Sequence, residues 1–458
     1  MEKILAETRS LCPICLKVVP AWRVQEGNDV FVKKTCPEHG TFRAVMWRGE
    51  PSYKDWDVGV DAPGTAVRLT ETVHGCPYDC GLCPQHKAKG CTVLMEVTER
   101  CNLKCPVCFA SSGEAGAAEP DMDQIRGMLE TVLEVEGLIP LQLSGGEPTM
   151  RDDLPQIVSL AKGMGFPHVQ INTHGLRLAN DIEYLKRLKD GGADLIYLQF
   201  DGVSDEVYRR IRGADLAELK TRAVENCAQV KIGVQLVPTV IPGINDHEIG
   251  AIVQFARRYI PVVKGVHFQP VSYFGRYPVA PVDEDRITTP DVLRAMEAQT
   301  GGEIKARNFL PRRRHVSHCG FSGFFVLNEE GKLMATTTFK PRQESEATCS
   351  EVSGVVSDAN PPSNHVRKFI TEKSRYIEPN PDKVEQQPEG TWKRFIERAK
   401  THFLSISGMP FQDAWTVDLE RLQNCCIHVI TPERKLVPFC AHYLTSASGE
   451  RLHKFHPK

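Results

Sequence analysis

Three cysteines fall within eight residues in Cys101-Asn102-Leu103-Lys104-Cys105-Pro106-Val107-Cys108, directly after the β-prone run Thr92 to Val97. The first gap holds three residues and the second two, so the loop can wrap its sulfurs around one compact cluster. Repeated two-residue gaps would instead pinch single ions, and the competing reading is a zinc knuckle or a set of buried thiols. Three thiolates on a four-iron cube leave one iron without a protein ligand. That corner accepts a small molecule bearing amine and carboxylate groups. S-adenosylmethionine is such a molecule, and the spacing points to radical chemistry.

Other cysteines group in the same local way. Cys12-Pro13-Ile14-Cys15 and Cys36-Pro37-Glu38-His39 flank a hairpin candidate, Trp22 to Val24 and Val30 to Val32. A paired C-x2-C and C-x2-H on a hairpin is a ribbon holding one ion, iron or zinc, in a structural role. Cys76, Cys80 and Cys83 repeat the three-and-two spacing, with Cys91 eight residues on as a fourth ligand, which reads as a fully ligated auxiliary cluster. The alternative lets some of these sulfurs complete the N-terminal site in a rubredoxin-like set and leaves His39 as a turn residue. Sixteen cysteines without a signal-peptide pattern argue for metal ligation over disulfides.

The elements that must position these groups follow from periodicity. From residue 92, β-type runs alternate with helical ones: Thr92 to Val97, Leu138 to Leu143, His168 to Asn172, Leu195 to Phe200, Lys231 to Val237 and Gly265 to Pro270, with a helix over Met122 to Val135. Six such units predict an α/β chain whose centre, residues 91–300, is a partial (β/α)6 barrel. A metal-binding region, 1–90, precedes it, and an α+β region, 301–458, with a polar insert over 336–400, follows. Ligands sit at the C-terminal strand ends in this architecture. There stand Ser144-Gly145-Gly146-Glu147, whose glycines admit close backbone approach and whose carboxylate suits an ammonium group, and then Asn172, Gln199, Asp201 and Gln269.

Composition excludes some classes. Lys and Arg total 56 against 58 Asp and Glu, a formal charge of -2, so no overall basic field recruits nucleic acid. No apolar run reaches the roughly 18 residues of a spanning helix, which predicts a soluble, cytoplasmic protein. Arg312-Arg313-Arg314-His315 is a candidate for peripheral membrane contact.

With the Cys101 loop and the Ser144 to Thr149 loop in place, the chain resembles the radical S-adenosylmethionine superfamily. The resemblance implies a 4Fe-4S cluster at Cys101, Cys105 and Cys108, S-adenosylmethionine on its open iron, and Gly145, Gly146 and Glu147 at the cofactor's amine. It also implies a 5′-deoxyadenosyl radical that abstracts hydrogen, and a reductant such as ferredoxin or flavodoxin. More narrowly, LCPICLKVVPA, KKTCPEHG, GCPYDCGLCPQHK, CNLKCPVCFA, SGGEPT, IYLQFDG, VPTVIPGIND and GVHFQPVS resemble the archaeal tetraether lipid synthase family, whose members are also labelled 7,8-dihydro-6-hydroxymethylpterin dimethyltransferases. That likeness implies one or two auxiliary clusters, with Cys319, Cys425, Cys426 and Cys440 as further ligands. It also leads to a cysteine expected where Gly408 stands, and to a TNG-type turn where NTHG stands.

Two activities follow as expectations. The first is carbon–carbon coupling on lipid isoprenoid or alkyl chains, with Phe321 to Leu327, Phe403, Leu404 and Ile406 lining an apolar tunnel. The alternative is methylation of a pterin or related heterocycle, in a compact polar pocket. A non-catalytic electron carrier would have no need of the Ser144 to Thr149 loop. For the radical engine itself, Cys101→Ala should abolish 5′-deoxyadenosine formation in anaerobically reconstituted protein; continued formation at the wild-type rate would exclude the cluster assignment.

Overall fold

The N-terminal residues form four antiparallel strands in chain order, β1 (Lys3–Leu11), β2 (Val18–Glu26), β3 (Asp29–Cys36) and β4 (Gly40–Trp47). The computed structural model describes residues 2–59, 68–113, 119–312, 316–340, 367, 371–372, 374–385 and 391–452. Gly27, with a φ of 61°, makes the tight β2–β3 turn. The turns carrying Cys12, Cys15 and His39 lie together at the opposite end. Arg313, Arg314 and His315, most of the polar insert and Cys349 fall outside the described residues.

The second sheet holds β5 (Thr92–Thr98), β6 (Leu141–Gly145), β7 (Val169–Thr173), β8 (Leu195–Gln199), β9 (Gly233–Val237), β10 (Thr239–Val240), β11 (Val263–Pro270), β12 (Leu310–Pro311), β13 (Phe321–Leu327), β14 (Leu333–Ala335), β15 (Phe403–Gly408), β16 (Ile427–Ile430) and β17 (Leu436–Pro438). Strands β5, β6, β7, β8, β9 and β11 lie side by side and parallel, as the alternating pattern requires of a β/α barrel. The sheet continues at both edges. On one side β15 pairs parallel with β11 and antiparallel with β13; on the other, β16 pairs parallel with β5. Residues beyond 300 therefore extend the barrel sheet itself.

Period-two alternation sorts each strand into two faces. Val93, Met95, Leu141, Leu143, Ile196, Leu198, Val234, Leu236, Val266 and Phe268 share one buried core with Ile125, Met128 and Val132 of the helix Met122–Glu136. The intervening residues, Gln142, Asn172, Tyr197, Gln235, His267 and Gln269, point to the opposite, inner face and are half-buried.

This alternation corrects the tunnel expectation. Phe325 lies opposite Leu404 and Gly323 opposite Ile406 in adjacent strands, and Phe321, Phe325, Leu404 and Ile406 all enter the helix-packed core. Phe324 and Phe403 stack with ring centroids 5.6 Å apart on the other face. The apolar run is mostly ordinary core. Gly408 has its own reason to be glycine: a Cβ there would meet the Phe321 ring at 2.4 Å, so the expected cysteine has no room.

A short segment, residues 412–418, ties the ribbon to the barrel. The fully buried Lys34 of β3 donates to Ser10 Oγ at 3.0 Å and to the Ala414 carbonyl at 2.6 Å, and Ser10 Oγ donates to the Val417 carbonyl at 2.5 Å. Asp413, also fully buried, accepts from Arg286 Nη1 at 2.8 Å and from the Tyr273 amide at 2.9 Å. Breaking a buried pair strands the partner's charge. Asp413→Ala should therefore lower unfolding free energy by ~3–5 kcal/mol in chemical denaturation, and a loss below ~1 kcal/mol would show that the Arg286–Asp413 pair is not a tether.

Candidate radical site and its surrounding thiols

The loop after β5 is held at several points. Cys101 N donates to the Gly113 carbonyl at 2.9 Å, Cys108 and Arg276 exchange two backbone bonds of 2.9 Å, and Arg276 Nε donates to the Cys105 carbonyl at 3.0 Å. Cys101 and Cys105 are buried, Cys108 is half-buried, and they pack with Leu103, Tyr208 and Leu216. Burial pushes the Cys101 thiol up to about 11, with the charges of Glu147, Cys105 and Cys108 adding to the rise. Thiols crowded in a dry pocket resist ionisation until cations join them, which is the environment an iron cluster completes.

Glycines 145 and 146 serve this loop directly. A Cβ on Gly145 would lie 2.0 Å from the Thr98 carbonyl oxygen, and one on Gly146 2.2 Å from that of Arg100. The close approach expected for a ligand is thus made first to the backbone entering the cysteine loop. Glu147 is likewise turned inward. It is 1% exposed; Oε1 accepts from Thr149 N at 3.0 Å, Thr149 Oγ1 at 2.6 Å and Thr173 Oγ1 at 2.6 Å, and Oε2 accepts from His174 N at 2.8 Å. The carboxylate joins the ends of β6 and β7. His174, where a TNG-type turn was expected, places Nε2 2.7 Å from Asn102 Oδ1 and so links this junction to the cysteine loop.

Asp201 and Gln199, expected at the cofactor, are engaged by protein. Asp201 is fully buried and accepts from Arg212 Nε at 2.7 Å, Arg212 Nη2 at 3.0 Å and Thr239 N at 3.0 Å. Gln199 bonds Asp201 through its amide nitrogen and accepts from Lys220 Nζ at 2.7 Å. Lys220 also donates to the His174 carbonyl at 2.6 Å, and burial brings its pKa down to about 7. Arg212 reaches Cys105 as well. Neither Arg212 nor Lys220 was singled out in the sequence. Lys220 had a readable signal: it stands with Ala223, Val224 and Cys227 on the buried stripe of the helix Ala217–Val230. Of the other expected residues, Ser144 is buried, while Asn172 and Gln269 lie on the inner face, Asn172 donating to Gln142 Oε1 at 3.4 Å.

In the ribbon, the ligand atoms of Cys12, Cys15, Cys36 and His39 lie within 4.8 Å of one another, with Cys15 Sγ to Cys36 Sγ at 3.9 Å and His39 Nδ1 3.4 Å from Cys36 Sγ. Metal–sulfur bonds of about 2.3 Å in a tetrahedron impose comparable separations. The set fits one ion and includes His39, so the rubredoxin-like alternative falls away.

The remaining thiols lie near one another. Cys76, Cys80 and Cys83 line a small cavity with His86, Leu422 and Gln423, and burial pushes the Cys76 thiol up to about 12. Cys425 is close enough for charge to couple it to Cys440, Cys319 and Cys91, and also to Cys80 and Cys426, and the buried Arg421 donates from Nε to Cys319 Sγ at 2.9 Å. Cys91 and Cys426 face each other, their sulfurs 2.9 Å apart. The cause is register: Thr92 pairs with Ile427, so the preceding residues are brought face to face.

Across the inner face the side chains are polar. His267 Nδ1 is 2.9 Å from Ser407 Oγ, the Tyr197 and His267 rings are 6.0 Å apart, and Tyr197 bonds Gln269. Burial, with the Arg312 charge second, brings the His267 pKa down to about 3, so the imidazole is neutral.

Comparison with known proteins agrees with this geometry. A model of the radical SAM superfamily matches residues 95–256, and one of the HMPTM N-terminal zinc ribbon domain matches residues 4–48. The chain is 38% identical to the 7,8-dihydro-6-hydroxymethylpterin dimethyltransferase of Methanocaldococcus jannaschii over 96% of this chain and 93% of that one. It is 29% identical to a probable GTP 3′,8-cyclase of Methanothermobacter marburgensis over 38% of this chain and 56% of the relative. Among solved structures, Streptococcus suis SuiB aligns with a TM-score of 0.39 and 14% identity, over 47% of this chain and 46% of that one. The parallel barrel, the three-cysteine loop and the Gly-Gly-Glu junction define a radical S-adenosylmethionine enzyme. Within that superfamily the chain belongs to the family of the M. jannaschii dimethyltransferase, which it matches along nearly its whole length. No helix among the described residues is long and apolar enough to cross a membrane.

The buried carboxylate supplies a test of the site. Glu147→Ala leaves the donors of Thr149, Thr173 and His174 without an acceptor, at about 1–3 kcal/mol for each buried group stranded. S-adenosylmethionine affinity of the reconstituted protein should fall by about tenfold or more while iron bound at the Cys101 loop is retained. Unchanged affinity in equilibrium dialysis would remove Glu147 from the site.

Proposed function

We propose that this radical enzyme methylates a dihydropterin or a closely similar nitrogen heterocycle. The observation that carries the reading is the inner face of the sheet. Gln142, Asn172, Tyr197, Gln235, His267 and Gln269 present amide, phenol and imidazole groups there. A pterin ring carries an amino group, ring N–H groups, a carbonyl and ring nitrogens, which amides and a neutral imidazole can match with donors and acceptors. An alkyl chain could only lie against these groups in their bonds to one another, such as Asn172 to Gln142 and His267 to Ser407, and would use none of their remaining donor and acceptor capacity. The whole-length likeness to the M. jannaschii dimethyltransferase supports the same substrate class.

Bound S-adenosylmethionine on a reduced cluster supplies the radical that abstracts hydrogen from a ring-adjacent carbon. The chain's own residues do the rest. Cys101, Cys105 and Cys108 hold the cluster, and the junction of Gly145, Gly146 and Glu147 shapes the cofactor's seat. The polar inner face orients the heterocycle, and the methyl group comes from a second S-adenosylmethionine or a folate-type donor. Groups of cysteines at 76, 80 and 83 and at 319, 425 and 440 are proposed to hold auxiliary clusters, and an external reductant of the ferredoxin or flavodoxin type supplies electrons.

Reconstituted enzyme incubated anaerobically with S-adenosylmethionine, a low-potential reductant and 7,8-dihydro-6-hydroxymethylpterin should form 5′-deoxyadenosine and a pterin heavier by one or two methyl groups, read by mass spectrometry. If the dihydropterin is returned unchanged with each donor class present while an isoprenoid lipid is consumed, the heterocycle reading fails.

A further inference from the structure

The inner face carries a cation that no group among the described residues answers. Arg312 follows β12, where Leu310 lies opposite Ser322 and Pro311 opposite Phe321. Because Phe321 belongs to the helix-packed core, alternation turns Pro311 toward that core and Arg312 toward the inner face. Gly320 makes room for it, since a Cβ there would lie 3.1 Å from Arg312 Nε. Across the strands on this face, Ser322 is the register partner of Ser407, and Ser407 of His267. The Arg312 charge is felt by His267 and Tyr197 on one side and by Cys91 and Cys426 on the other. Arg312 is only partly exposed, yet among the described residues its side chain makes no hydrogen bond and no ion pair. Carboxylates of the surrounding elements are committed elsewhere: Glu96 to Tyr443, Glu136 to His428 and Asp201 to Arg212. A guanidinium offers five donors in a fork that matches phosphate or carboxylate, and leaving it unanswered in a recess serves a ligand better than it serves the fold.

Building on the dihydropterin reading, we propose that Arg312 is the anion-recognition residue of the substrate recess and that the preferred substrate is a dihydropterin whose side chain ends in a phosphate ester or a carboxylate. Ser407, His267 and Tyr197 face the heterocycle, and the guanidinium takes the anionic end. His267, neutral through burial, adds no second charge to that task.

The test uses the full-length, anaerobically reconstituted protein. Equilibrium dialysis compares 7,8-dihydro-6-hydroxymethylpterin with its phosphate monoester and with the 6-carboxylate analogue, in wild type, Arg312→Gln and Arg312→Lys. Affinity for S-adenosylmethionine and the iron–sulfur midpoint potentials are measured alongside. Wild type should bind an anionic compound about tenfold tighter than the neutral alcohol. Arg312→Gln should erase that preference and Arg312→Lys keep part of it, with cofactor affinity and potentials unchanged. Which anionic compound gains separates phosphate from carboxylate. Absence of the preference in wild type, or its survival in Arg312→Gln, overturns the assignment. So does a potential shift with the preference intact, which would make the arginine a partner of the thiols. If none of the pterins binds wild type, the dihydropterin reading has failed, and the arginine is judged by phenylglyoxal labelling mapped on peptides. Protection of Arg312 by inorganic phosphate supports the anion site, and equal labelling rates overturn it.

Discussion

The buried carboxylate of Glu147 constrains everything at the mouth of the barrel. A charge at 1% exposure survives only where donors converge on it, and here they come from Thr149, Thr173 and His174. Satisfying it fixes the ends of β6 and β7 against each other. His174 is then aimed at Asn102, and its carbonyl receives Lys220, which reaches Gln199, Asp201 and through Arg212 the Cys105 thiol. One continuous polar network thus runs from the rim to the cysteine loop. Such a network pre-forms a site, because each member is held by a partner that is itself held.

Features whose physics is local were legible in the chain. Strands Leu195–Gln199 and Gly233–Val237 fall inside runs read from their apolar pattern, because Ile196, Leu198, Val234 and Leu236 enter the helix-packed core. The Cys12, Cys15, Cys36 and His39 set was legible because two tight turns and one hairpin fix all of its geometry. What depended on distant pairing was not. Cys91 meets Cys426 only because β16 docks beside β5, across 335 residues of sequence. Asp201 looked like a ligand contact because a carboxylate at a strand end has no visible partner in sequence, and its partner Arg212 sits in the following helix.

The misread apolar stretch makes the same point about strands. Phe321 to Leu327 reads as a largely apolar run, but a strand divides such a run between two faces. Phe321 and Phe325 go to the helix-packed core, and Ser322 and Phe324 to the other face. Polar residues on β6 through β11 alternate with core residues in the same way, and there the periodic gaps in the apolar pattern are the recess lining itself.

An ion in the ribbon would act at a distance through this framework. It pins the turns next to Leu11 and Cys36, and those strand ends carry Ser10 and Lys34. Both side chains hold the segment 414–417 by its carbonyls, while Asp413 in the same segment grips Arg286 and the Tyr273 amide. Immediately before it, the Gln412 amide donates to Cys440 Sγ at 3.4 Å, and immediately after it Asp418 caps the helix Leu419–Gln423 that bears Arg421. Arg421 in turn reaches Cys319. An ion held by Cys12, Cys15, Cys36 and His39 would therefore steady, through these contacts, the segment that leads to Cys440, Arg421 and Cys319. Its contribution is mechanical, because the carbonyls of 414–417 have no other buried donors among these contacts.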